Sequence, residues 1–81
     1  MEFTRIVVCM QDPVTVRKNL GKRVRELRTK RGLSQEAFAH ESGLGRSFAG
    51  SIERGERDIR ITTLCKLAGF FEIPLGQLFR R

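Results

Sequence analysis

Apolar residues recur along most of the chain at helical spacing. Val16, Leu20, Val24 and Leu27 fall at i, i+4, i+8 and i+11, one face of a helix predicted from about Val16 to Arg31. Asp12-Pro13 and Thr15 precede it as breaker and candidate cap, and Gly32 ends it. Leu33 then packs beneath the next helix, for which Ser34 is a good N-cap because its hydroxyl can accept a first-turn N–H. Phe38 and Ala39 give that second helix its apolar edge, and the small Ala39 lets another helix approach. Gly43 suits the left-handed conformation that ends a helix, and Leu44 plugs the corner. A third helix from about Arg46 to Arg54 turns Ala49 and Ile52 inward and stops at Gly55. A polar loop follows, with Ile59 as its apolar plug. A fourth helix spans Ile61 to Phe71 with Ile61, Leu64, Leu67, Ala68 and Phe71 inward, and Cys65 on its apolar face as a reduced core thiol. Pro74 can open a last short helix, Leu75 to Phe79. The expected fold is all-α, with five helices.

Residues 15–81 form the expected helical domain, and residues 1–14 an N-terminal arm or short strand. Phe3 to Cys9 is rich in β-branched types and reads as an isolated strand, an added strand in a dimer, or a loose arm, with Met10 as an alternative start. Eighty-one residues make one small domain, which buries only about 60% of its unfolded surface, so a partner subunit would help. No apolar run approaches the ~18 residues of a membrane span, and the start lacks the pattern of a secretory signal. A cytoplasmic location is expected. Cys9 and Cys65 share no metal-type spacing, and a disulfide between them is not expected there.

Charge changes this picture. Residues 13–32 carry eight basic groups (Arg17, Lys18, Lys22, Arg23, Arg25, Arg28, Lys30, Arg31) against one acid, Glu26, a net +7. The remaining residues carry eight basic and eight acidic groups, so the whole excess lies on the first helix. A phosphate backbone is the natural partner of such a block.

The segment Ser34–Gly55 resembles the helix-turn-helix of lambda-repressor-like (XRE/Cro) regulators. Ser34-Gln35, Ala39, Gly43-Leu44 and Ile52-Glu53-Arg54-Gly55 carry the likeness, which extends from about Leu20 to Leu78. Arg46, Ser47 and Phe48 give a basic residue, a small hydroxyl and an aromatic in that order, as in restriction–modification controller proteins. Two positions depart from the family. Gly45 stands where Ser or Thr usually caps the recognition helix. Gly50 lies inside that helix, implying either fraying or a close approach of the backbone to a base or phosphate.

The resemblance implies that the third helix enters the major groove with its N-terminal residues on base edges. Arg46 is the leading base contact, since a guanidinium can donate twice to guanine O6 and N7; Ser47 and Ser51 follow. Gln35 matches a family position whose amide grips a phosphate, with Lys22, Arg23, Arg54 and Arg57 as further backbone contacts. Glu53 matches a family Glu that pairs with an Arg on the first helix, here Arg28. At the C-terminal end the family tends to have Ala and Gly where this chain has Phe70 and Glu72. Phe70, Phe71, Ile73, Leu75, Leu78 and Phe79 crowd into ten residues. A dimer interface of Phe70, Phe71, Leu75, Leu78 and Phe79 is therefore expected.

Catalysis finds no support. His40, the only histidine, has no nucleophile or paired carboxylate in a recognisable relation to it, and no metal or cofactor is expected. With no Trp or Tyr, an aromatic platform for single-stranded RNA is not expected either. The expected function is a sequence-specific double-stranded-DNA-binding transcriptional regulator, a homodimer on a near-palindromic operator, acting on its own expression. The alternatives are a protein-interaction module on the same fold or an antitoxin. A cognate toxin or RNA polymerase is a further candidate partner.

Overall fold

The computed structural model describes residues 12–79. The Phe3–Cys9 stretch lies outside them. Asp12 caps the first helix: its carboxylate accepts the Thr15 hydroxyl at 2.8 Å and the Val14 N–H at 3.3 Å. Those two bonds, the Thr15 one foremost, hold its pKa below the ordinary carboxylate value. Helix α1 runs Pro13–Lys30, with proline in the first turn where its missing N–H costs nothing. It starts three residues before the expected Val16, because Asp12 rather than Thr15 is the cap. Leu20 and Val24 are buried, and Val16 is exposed because the first turn projects past the core.

The second helix, α2, runs Gln35–Ser42; the Ser34 hydroxyl accepts the Ala37 N–H at 3.0 Å. It ends at Gly43, whose φ of 77° is left-handed. Helix α3 is Arg46–Glu53 and α4 is Ile61–Phe71. The chain closes with a 3-10 helix, Leu75–Phe79, so the all-α class holds while the fifth element is a 3-10 turn rather than an α-helix. Helix α1 packs on α3 and on the 3-10 helix, and α2 packs on α3 and α4.

Phe38 sits at the centre, fully buried, its ring stacked on Phe71 and edge-on to Phe70, each with centroids 5.5 Å apart. Leu67, Ala49, Ile52 and Leu78 pack into the same interior, with Ala39, Leu64 and Ala68. Two residues of α4 depart from expectation. Ile61 is 67% exposed, and Cys65, one turn further on the same side, is exposed rather than a core thiol. Both lie on one solvent-exposed edge of α4. Glu72 ends α4 with φ 58° and ψ 45°, the one non-glycine with positive φ among the described residues.

Candidate nucleic-acid interface

The turn between α2 and α3 sets how the third helix is presented. Gly45 has φ 86° and ψ 144°, a backbone that side-chain-bearing residues rarely adopt, and α3 starts there without a side-chain cap. The departure from Ser or Thr at this position thus has a conformational cause. Helix α3 then projects Arg46, whose side chain is 76% exposed, and Ser47, also exposed. Phe48 is half-buried against the core, with the Arg57 guanidinium 5.4 Å over its ring. Ser51 does not belong to this edge. It is 5% exposed and its hydroxyl donates to the Phe48 carbonyl at 2.7 Å, so the expected base contact gives way to a helix-internal bond.

Three residues from three elements lock the far end of α3. Arg28 of α1 donates to Glu53 twice, Nε to Oε2 at 2.6 Å and Nη2 to Oε1 at 3.0 Å. Its Nη1 donates to the Leu33 carbonyl at 2.9 Å. Gln35 Nε2 donates to Glu53 Oε1 at 3.2 Å. Both charged side chains are largely out of water, 11% and 5% exposed, a setting in which a bidentate, fully hydrogen-bonded pair holds firmly. The Gln35 amide expected on a phosphate is thus turned inward, onto Glu53.

Gly50 explains itself here. A Cβ at that position would stand 3.1 Å from Arg54 Nη1 and 3.3 Å from Gln35 Oε1. A methyl group there would press on the ends of those two side chains, which the absence of a Cβ leaves in place. Gly21, which belongs to no motif in the sequence, serves the same end from α1: it is buried against the last turn of α3.

The expected phosphate contacts fall into two groups. Lys22, Arg54 and Arg57 are exposed. Arg54 pairs with Glu56 at 3.0 Å, and that hydrogen bond raises its pKa further. Arg23 is already engaged: its Nε donates to the Gln77 carbonyl at 2.9 Å, tying α1 to the 3-10 helix, and its side chain is only 22% exposed. Arg31 likewise lies over the Phe70 and Phe71 rings at 5.4 and 5.7 Å. Part of the basic block is therefore structural.

The expected dimer residues also divide. Phe71 and Leu78 are 5% and 0% exposed, packed into the protomer's own core, and cannot also serve an interface. Leu75 and Phe79 are 38% and 41% exposed, and Phe70 is half-buried. Phe79 borders a crevice of about 140 Å³ shared with Val16, Ile59 and Leu64. Among the described residues no group of His, Cys, Asp or Glu is placed to hold a metal ion, and no helix is long and apolar enough to cross a membrane.

The sequence and the fold both have counterparts among known proteins. The helix-turn-helix family HTH_3 matches residues 24–78. The chain is 36% identical over 74 residues to the control protein C.SmaI of Serratia marcescens, covering 91% of this chain and 84% of that one. It is 35% identical over 65 residues to the control protein C.MunI of a Mycoplasma species, covering 79% of this chain and 88% of that one. Among solved structures, the restriction–modification controller protein C.AhdI of Aeromonas hydrophila superposes with a TM-score of 0.71 at 47% identity, over 76% of this chain and 94% of that one.

Proposed function

The chain belongs to the HTH_3 helix-turn-helix family of DNA-binding regulators, and from that premise we propose that it is a dimeric, sequence-specific transcriptional regulator of the restriction–modification controller type. Arg46 and Ser47 read base edges in the major groove, and Lys22, Arg54 and Arg57 hold phosphates. The observation that carries this reading is the contrast along α3. Its N-terminal end projects an exposed arginine and serine, the arginine touching only the equally exposed Glu36, while its C-terminal end is fastened by Arg28, Gln35 and Gly21. A helix gripped at one end and bare at the other is built to present the bare end.

A dimer assembled through Leu75, Phe79 and the neighbouring Phe70 would set two such helices about 34 Å apart, one turn of DNA, and so select a near-palindromic operator. We extend the proposal to control of its own expression, in the cytoplasm where its DNA lies.

The test is selection of bound duplexes from a random library, followed by a salt titration on the selected sequence. A near-palindromic consensus is expected, and about six phosphate contacts would lower affinity about 10³-fold or more between 50 and 200 mM salt. No consensus and a flat salt dependence would instead indicate a protein-interaction module on this fold.

A further inference from the structure

Arg46 is not alone on the reading edge. Its Nη1 lies 3.1 Å from Oε2 of Glu36, the second residue of α2, across the turn between the two helices. Both side chains are well exposed, 76% and 68%, so the pair adds little to stability. The groove between them, about 400 Å³, is lined besides by Ala39, Gly43, Gly45 and the imidazole-bearing His40. Among the described residues Arg46 makes no other polar contact. Glu36 is therefore the one polar group that restrains this guanidinium.

A long cation at the mouth of a DNA-binding surface has two competing uses. It can settle on any phosphate, or it can donate its fork to a guanine edge. A carboxylate tethered beside it competes with phosphates for the same charge and leaves the Nε–Nη2 edge free for bidentate donation. It also places a negative charge where a duplex approaches, and that penalises every register in which the arginine finds no base partner. We infer that Glu36 is a specificity-determining residue: it positions Arg46 for base readout and suppresses its use as a general phosphate ligand. The inference rests on the reading of Arg46 as a base contact.

The test uses Glu36→Gln, which keeps the shape and removes the charge. Probes are the duplex selected by the wild-type chain and a scrambled duplex of equal length. Affinity for the scrambled duplex should rise about threefold to fivefold for each protomer of the bound dimer, and its slope of log affinity against log salt should steepen by about two. Affinity for the selected duplex should rise less, so the ratio between the two falls. In an Arg46→Ala background the same change should leave the ratio and the slope difference unmoved, because Glu36 acts through Arg46. A specific wild-type chain whose Glu36→Gln variant keeps the same ratio and slope overturns the inference alone. So does an equal effect with and without Arg46. A wild-type chain that binds both duplexes alike overturns the reading of Arg46, and this inference with it.

Discussion

Gly21 and Glu53 meet with no room for a side chain between them. A Cβ at position 21 would stand 2.6 Å from the carbonyl oxygens of both Ile52 and Glu53. Here α1 and the recognition helix touch backbone to backbone.

Gly21→Ala should therefore destabilise the protein although alanine is the better helix former. The propensity gain is about 0.5–1 kcal/mol, and displacing α3 costs about 1–3 kcal/mol. Gly69, on the exposed side of α4, is the control, because a Cβ there would meet nothing within 4 Å. Gly69→Ala should gain about 0.5–1 kcal/mol. Urea midpoints of the two variants should move in opposite directions. Shifts of the same sign would show that α3 yields freely at position 21.

Removing one partner of the Arg28–Glu53 pair strands a charge that is 5–11% exposed. Glu53→Ala should cost about 3 kcal/mol. A double-mutant cycle with Arg28→Ala should return a coupling of about 1 kcal/mol or more. Additive losses in urea unfolding would mean that the two side chains stabilise the fold independently.

On DNA, Arg46→Ala should cost about 1–3 kcal/mol on the selected duplex and relax specificity at one base pair. Lys22→Ala should weaken all sequences alike and lower the salt slope by about two, one for each protomer of the dimer. Arg23→Ala should leave that slope unchanged and lower stability instead, since its Nε is bound to the Gln77 carbonyl. A fall in salt slope for Arg23→Ala would show that this tie opens on DNA.

Glu72→Gly should stabilise the protein by about 0.5–1 kcal/mol, because the left-handed backbone at position 72 costs a side-chain-bearing residue about 1 kcal/mol. The Arg31–Glu72 contact that would be lost is 3.8 Å long with an 84% exposed carboxylate, worth a few tenths at most. A drop in melting temperature would assign that contact more weight than its exposure allows.

Phe79→Asp should yield a folded monomer by sedimentation at micromolar concentration, because the ring is 41% exposed. Leu78→Asp should not fold, because that side chain is fully buried. If Phe79→Asp stays dimeric while a chain starting at Met10 becomes monomeric, the Phe3–Cys9 stretch holds the dimer instead.

The helices are legible in the sequence because their punctuation is local: Ser34, Gly43 and Gly55 each act within one turn of chain. Inward faces are less so. Val16 and Ile61 keep the correct phase but lie in first turns, where nothing remains to cover them, and Cys65 follows Ile61 onto the same open edge. Arg28 and Glu53 are legible through family resemblance rather than spacing, since 25 residues separate them. The roles of Gly21, Gly50 and Glu36 depend on distances across elements. An isolated glycine in a strong helical pattern is the only sequence signal for the first two, and it does not say what fills the space. For Glu36 there is no signal, because its meeting with Arg46 depends on the angle set by the turn at Gly43–Gly45.

The fastening of α3 and its reading edge share no side chain. Glu53, Gly50 and the buried Ser51 and Ile52 hold the helix in place, while Arg46 and Ser47 meet only solvent and Glu36. Changes at positions 46 and 47 are thus mechanically silent for the fold. If Arg46 and Ser47 read bases as proposed, a lineage built on this frame can acquire new target sites by substitution there without first repairing its interior. The same separation makes the Arg46–Ser47 pair, together with Glu36, the natural place to redirect the protein by design.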